Sequence, residues 1–188
     1  MLRKWALITL WAGVTLGVTG CMPKMTIEQM KQQMPQRPAE LDRLDAFVGK
    51  WQGEGEAKFA FLDTPLRITG TTQMEWGGNR WFIVGKSVMG MEHFDDMYGL
   101  ETWTYDAHAK KYRSTWVDSM GSSGTGESTY DEKAGVWHMK AKSHGAWGES
   151  TMKGTLRFTN PDTMEWSIEE WQGLMKVSEM NGTSKRVK

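Results

Sequence analysis

From Lys50 onward the chain repeats one pattern: a run that alternates apolar or small residues with polar ones, then a short turn. A period of two sends successive side chains to opposite faces of an extended strand. Trp51, Gly53, Gly55, Ala57, Phe59 and Phe61 alternate with Gln52, Glu54, Glu56 and Lys58. Leu66, Ile68, Gly70, Thr72, Met74 and Trp76 alternate with Arg67, Thr69, Thr71, Gln73 and Glu75. After a turn at Gly77-Gly78-Asn79 come Arg80–Val88, an irregular stretch over Gly90–Asp96, then Met97–Tyr105 and Lys111–Ser119. Thr125–Tyr130, Val136–Ser143, Ser150–Thr159, Thr163–Trp171 and Leu174–Ser184 follow, the last with an ambiguous register.

About ten strands joined by turns this short leave no room for the crossovers that parallel pairing needs. The expected fold is therefore all-β, antiparallel and up-and-down. So many strands favour closure into a barrel, which removes both exposed edges, with a two-sheet sandwich as the competing architecture. The eleven Trp and 21 Gly fit a tightly curved sheet, because bare backbone lets a strand bend beneath a large ring. Ahead of the strands, Pro38 opens a helix that puts Leu41, Leu44 and Val48 on one face, broadened by Phe47 and followed by Gly49. This helix is expected to cap one barrel mouth.

The N-terminus is of another kind. Arg3 and Lys4 precede an uncharged, largely apolar run from Trp5 to Val18, which matches a secretory signal and is shorter than the ~20 residues of a membrane-spanning helix. Val18-Thr19-Gly20-Cys21 resembles the lipobox of bacterial lipoproteins. That resemblance implies cleavage before Cys21, acylation of its thiol, and a lipid-anchored protein of the bacterial cell envelope. With Met22 after the cysteine, the sorting rule of Gram-negative lipoproteins points to the outer membrane, facing the periplasm. Cys21 is the only cysteine, so no intramolecular disulfide can form. The expected organisation is a signal over residues 1–20, a tether over 21–37 and a barrel domain over 38–188. In the tether, Thr26-Ile27-Glu28-Gln29 matches a capping box for a short helix.

Loss of the signal takes Arg3 and Lys4 and no acid, leaving 21 basic against 23 acidic side chains. With no basic stripe, nucleic acid is not an expected partner. The chemistry centres on a hairpin, Tyr105 to Met120, whose return strand puts Tyr112, Ser114, Trp116 and Asp118 on one face. Rings beside a hydroxyl and a carboxylate suit a cavity wall. Together with Trp51 and Trp166, these residues form the candidate ligand-binding set, with Arg80 and Arg113 as candidate partners for Asp118. The expected ligand is a small hydrophobic or amphipathic molecule. In the alternative, side chains fill the barrel, Asp118 only satisfies backbone donors, and the protein is a structural or interaction module.

No cofactor is expected. His108 falls in a turn, and His138 and His144 share a polar strand face with Lys140 and Lys142, which leaves His93 uncommitted. His93 lies among Met89, Met91 and Met97, and the tether holds Met22, Met25, Met30 and Met34. Thioethers suit Cu(I), so envelope copper handling is a further alternative, set against methionine as an adaptable gap-filler. Ser122 and Ser123 lie in a Gly/Ser turn rather than on a strand-to-helix elbow. No His-Glu-x-x-His motif or phosphate loop is present. The expectation leans away from an enzyme.

Gly49-Lys50-Trp51 resembles the Gly-x-Trp signature of lipocalin-like, or calycin, barrels. The longer series runs from Phe47-Val48-Gly49-Lys50-Trp51 through Gly53, Gly55, Gly77-Gly78 and Arg80-Trp81 to Tyr105-Asp106, Lys110-Lys111-Tyr112 and Trp116–Met120. It is similar to the bacterial family catalogued as domain of unknown function 1579, from about Leu41 to Arg186. Thr104 stands where a Gly is expected before the Tyr-Asp pair. The resemblance implies a calycin-like barrel and no activity.

Overall fold

A computed structural model describes residues 24–188. The signal and Cys21 lie outside the described residues. The segment ahead of Arg37 is one unit and Arg37–Lys188 another. In the first, the helix α1 (Ile27–Gln32) starts at a complete capping box: Thr26 Oγ1 accepts the Gln29 N–H, and the Gln29 side chain accepts the Thr26 N–H.

The second unit holds ten strands: β1 (Gly49–Phe59), β2 (Leu66–Gly77), β3 (Phe82–Met91), β4 (Met97–Asp106), β5 (Lys111–Asp118), β6 (Ser123–Asp131), β7 (Val136–Gly145), β8 (Gly148–Asn160), β9 (Thr163–Gln172) and β10 (Met175–Val187). Each pairs antiparallel with its sequence neighbours, and β1 pairs with β10, so the sheet closes into an up-and-down barrel rather than a sandwich. Closure gives every strand two neighbours and leaves no open edge. The irregular β3–β4 connection is shorter than the alternation implied, because pairing of β2 with β3 carries regular structure on to Met91.

The helix ahead of β1 is a 3-10 helix over Ala39–Ala46. At three residues per turn, i and i+3 eclipse, so Leu41, Leu44 and Phe47 fall into one line and all three are buried. Val48, expected on that face, leaves the line and is only partly buried against the cluster. Complete burial of each leucine stabilises the fold by about 1.5–3 kcal/mol. The helix thus stoppers one end of the barrel. Asp45 fixes it there by accepting from the Trp76 indole and from the Arg80 guanidinium, each at 2.7 Å.

Beneath the helix lies an aromatic plug. Trp137 is packed against Tyr112, Tyr130, Phe47 and Trp103, with ring centroids 4.6, 5.1, 5.2 and 6.4 Å away. The seam between β1 and β10 is tied to the plug by Arg186. Its guanidinium lies 4.3 Å from the Trp51 ring and donates to the Val48 and Ala46 carbonyls. Along this seam Gly55 faces Gly182. A β-carbon on Gly55 would sit 2.1 Å from the Asn181 carbonyl oxygen, so the two backbones approach more closely than any side chain allows.

Candidate functional site

Register assigns the inward face of each strand, and depth along the barrel axis then divides it. Near the 3-10 helix the inward side chains Trp51, Met74, Ile83, Trp103, Tyr112, Trp137 and Leu156 are buried. Farther along, Trp116, Met139, Met152, Ile168 and Met180 share the same face and are only half-buried. Inside a closed sheet, such exposure marks a hollow. It lies toward β5–β10, since Ala57, Leu66 and Ile68 close off the β1–β2 side.

Two carboxylates enter this hollow from strands five places apart around the ring. Glu101, on β4, stands beside Trp116 in the register. Its side chain lies over the bare backbone of Gly85, where a β-carbon would come within 2.8 Å of its Cγ. The Trp103 indole N–H, rising from the plug, donates to Oε2 at 2.8 Å. Burial pushes the Glu101 carboxyl above the usual carboxylate range, and the indole hydrogen bond offsets this only in part. Glu170, on β9, differs in having donors of its own: the hydroxyls of Ser150 and Ser178, at 2.5 and 3.3 Å. Both serines are buried.

Basic side chains avoid this interior. The lysines and arginines of the strands alternate to the outside, and among the described residues the inward exception is Arg186, committed to the plug. Among those residues, the hollow therefore offers indole faces, thioethers, hydroxyls and acceptor oxygens, and no cation.

The six residues expected to bind ligand divide by depth. Ser114 and Trp116 line the hollow, facing Gly126 and Gly124 on β6. Asp118 reaches the mouth, where it accepts the backbone N–H of Met120 and of Ser122 at 2.9 and 3.0 Å, shaping the turn. Neither expected cation reaches it: Arg80 pairs with Asp45, and Arg113 with Asp106 and Glu127. Trp51 and Tyr112 are buried in the plug, with their N–H and O–H donated to the carbonyls of Phe47 and Glu40 at 2.7 and 2.8 Å. Trp166 packs on the plug's flank and donates to Ser184 Oγ at 3.1 Å. Glu101 and Glu170 stand outside the expected set. Extending the alternation from Trp103 back to Gly99, and from Ile168 on by two residues, puts each on the inner face.

Two other concavities lie outside the barrel. A groove of about 580 Å³ runs along the outer wall past Lys50, Lys86, Tyr98, Leu100 and Val117. A polar cleft of about 900 Å³ flanks the 3-10 helix, between Glu40, Arg43, Tyr105, Tyr112 and Tyr130. Burial raises the phenols of Tyr105 and Tyr112 there. For metal binding, no three His, Cys, Asp or Glu among the described residues converge on an ion-sized site. His93 sits in the β3–β4 loop with its side chain 75% exposed.

The raised Glu101 carboxyl has a consequence for stability. The folded protein holds this proton at pH values where the unfolded chain has released it, so stability falls as pH rises from the ordinary glutamate range through the raised one, then levels off. Glu101→Gln should flatten that descent and stabilise the protein at neutral pH by roughly 1–3 kcal/mol, the cost of an ill-satisfied buried polar group. Thermal unfolding of both proteins between about pH 4 and 8 reads it. A Glu101→Gln variant less stable than the parent at neutral pH would mean that the carboxylate is well solvated where it stands.

A family model described as protein of unknown function (DUF1579) matches residues 36–180. No curated protein matches the chain. Among solved structures, Rv2717c from M. tuberculosis superposes with a TM-score of 0.64 at 11% identity, covering 81% of this chain and 100% of that one. The S-type phycobiliprotein lyase CPES from Guillardia theta gives a TM-score of 0.57 at 12% identity, over 82% and 99% of the two chains. At these identities the likeness is one of fold.

Proposed function

The chain belongs to the DUF1579 family of proteins of unknown function, and from that premise we propose that it is a non-enzymatic binding protein whose barrel holds a small hydrophobic or amphipathic molecule. One observation carries the reading: inward side chains of β5–β10, Trp116 foremost, are half-buried within a closed sheet. A hollow with apolar walls and a few polar groups that fix orientation is what ligand sites have in common. The plug and the 3-10 helix stopper one end, so a ligand enters from the opposite mouth.

The site of action proposed with it is the bacterial cell envelope. Val18-Thr19-Gly20-Cys21 supports acylation at Cys21, with residues 21–37 as a tether and the outer membrane as the destination in a Gram-negative cell. A single acyl chain holds a protein only marginally, so durable anchoring takes a second chain or another membrane signal. Cys21→Ser should move the protein from the membrane fraction to the soluble fraction, and a protein equally membrane-bound without the thiol would remove the anchoring claim.

Ligand binding is tested with a neutral, environment-sensitive dye such as Nile red. Its fluorescence should rise on mixing with the purified protein and fall on adding dodecanol. Trp116→Ala should weaken dye binding by about tenfold, because it strips a large aromatic face from the wall. A barrel that leaves the dye dark, and releases no small molecule in native mass spectrometry, is a filled scaffold.

A further inference from the structure

The inventory of the hollow is one-sided. Its inward face carries the Glu101 and Glu170 carboxylates and the serine hydroxyls, with Asp118 at the mouth and, among the described residues, no lysine, arginine or histidine. Of the two deep carboxylates, Glu170 already has two hydroxyl donors, whereas Glu101 has one indole N–H on one oxygen. A buried carboxylate without a cationic partner is costly, and the cost is recovered when a partner arrives. Trp116 is the neighbour of Glu101 in the register, with its ring leaning over Gly124 on β6 while Glu101 leans over Gly85 on β3, and indole faces attract cations, most strongly in a desolvated site. Met139, Met152, Ile168 and Met180 continue the wall as an apolar lining fit for an alkyl chain.

Resting on the reading of the hollow as a binding site, we propose that its ligand is a cationic amphiphile, with the positively charged nitrogen held between the Glu101 carboxylate and the Trp116 ring and the hydrocarbon laid against the methionines. The same arrangement selects against fatty acids. A carboxylate head would meet two acidic side chains and, among the described residues, no cation.

Displacement of Nile red from the purified protein by three probes of equal chain length, kept below their micelle-forming concentrations, tests this. The probes are dodecyltrimethylammonium, whose charge does not titrate, dodecanol and dodecanoate. At about pH 8 the ammonium should bind about tenfold more tightly than the alcohol, and dodecanoate more weakly than either. Glu101→Gln should reduce the ammonium-over-alcohol ratio to about threefold or less, while Glu170→Gln, whose carboxylate is already served by two hydroxyls, should leave most of it. Thermal unfolding checks that each variant is folded. Dodecanoate binding as tightly as the ammonium overturns the inference and leaves the binding reading standing, as does an undiminished ratio in Glu101→Gln. Failure of all three probes to displace dye, or a dye that stays dark with no small molecule released in native mass spectrometry, overturns both.

Discussion

Trp137→Ala should destabilise the barrel by about 3–5 kcal/mol, the upper range for removing a buried ring. Trp137 is 2% exposed and touches four other rings of the plug. Its neighbours cannot close the void. Phe47 is held by the helix, and Tyr112 is fixed through its hydroxyl to the Glu40 carbonyl. Urea unfolding should show a lower midpoint with an unchanged slope, since the surface exposed on unfolding hardly changes. The damage should also travel upward. Trp103 would be deprived of its edge packing on Trp137 and, with it, the position from which its N–H reaches Glu101. Trp137→Phe, which retains part of the ring volume, should cost less than Trp137→Ala. A loss below about 1 kcal/mol for the alanine variant would show that the plug repacks freely.

The second large effect is expected at the seam. Gly55→Val should cost at least about 3 kcal/mol, beyond the usual range for overpacking. The added carbon meets the backbone of β10, at 2.1 Å from the Asn181 oxygen and 2.8 Å from the Gly182 Cα. Neither can rotate away, so β1 and β10 must part. Gly53→Ala is the control: its nearest obstacle is the Ser184 hydroxyl at 2.8 Å, the end of a side chain that can turn. Far-UV circular dichroism and thermal unfolding should separate the two, with the Gly55 variant aggregating as its freed edges find partners. Equal stability of the two variants would show that the seam breathes enough to take a side chain.

Alternation makes the strands and their antiparallel order legible, and the lack of crossover segments makes closure legible. The last strand resists because its pairing with β9 shifts between Lys176 and Ser178, which reverses the parity of every residue beyond. The site is harder to read because parity gives the face of a sheet and not the depth along the barrel axis. Trp51 and Tyr112 do point inward, but Phe47 and the 3-10 helix fill the space around them, and nothing local to either residue announces that. Ser114 and Trp116 lie a few residues farther from the plug on the same or neighbouring strands and meet the hollow instead. Glu101 and Glu170 escape notice because a charged residue in an amphipathic strand ordinarily faces water. In a hollow barrel that water lies inside.

The seam also imposes an order in time. β1 needs β10 as its second neighbour, and their paired residues, such as Trp51 and Arg186, stand at opposite ends of the domain. During synthesis the first hairpins can form while the ribosome is still working, yet one flank of Gly49–Phe59 stays unzipped until the final segment emerges. Pairing across so long a loop is slow to nucleate. The nascent sheet must therefore survive as a sticky half-cylinder, the stage at which a chaperone has most to protect.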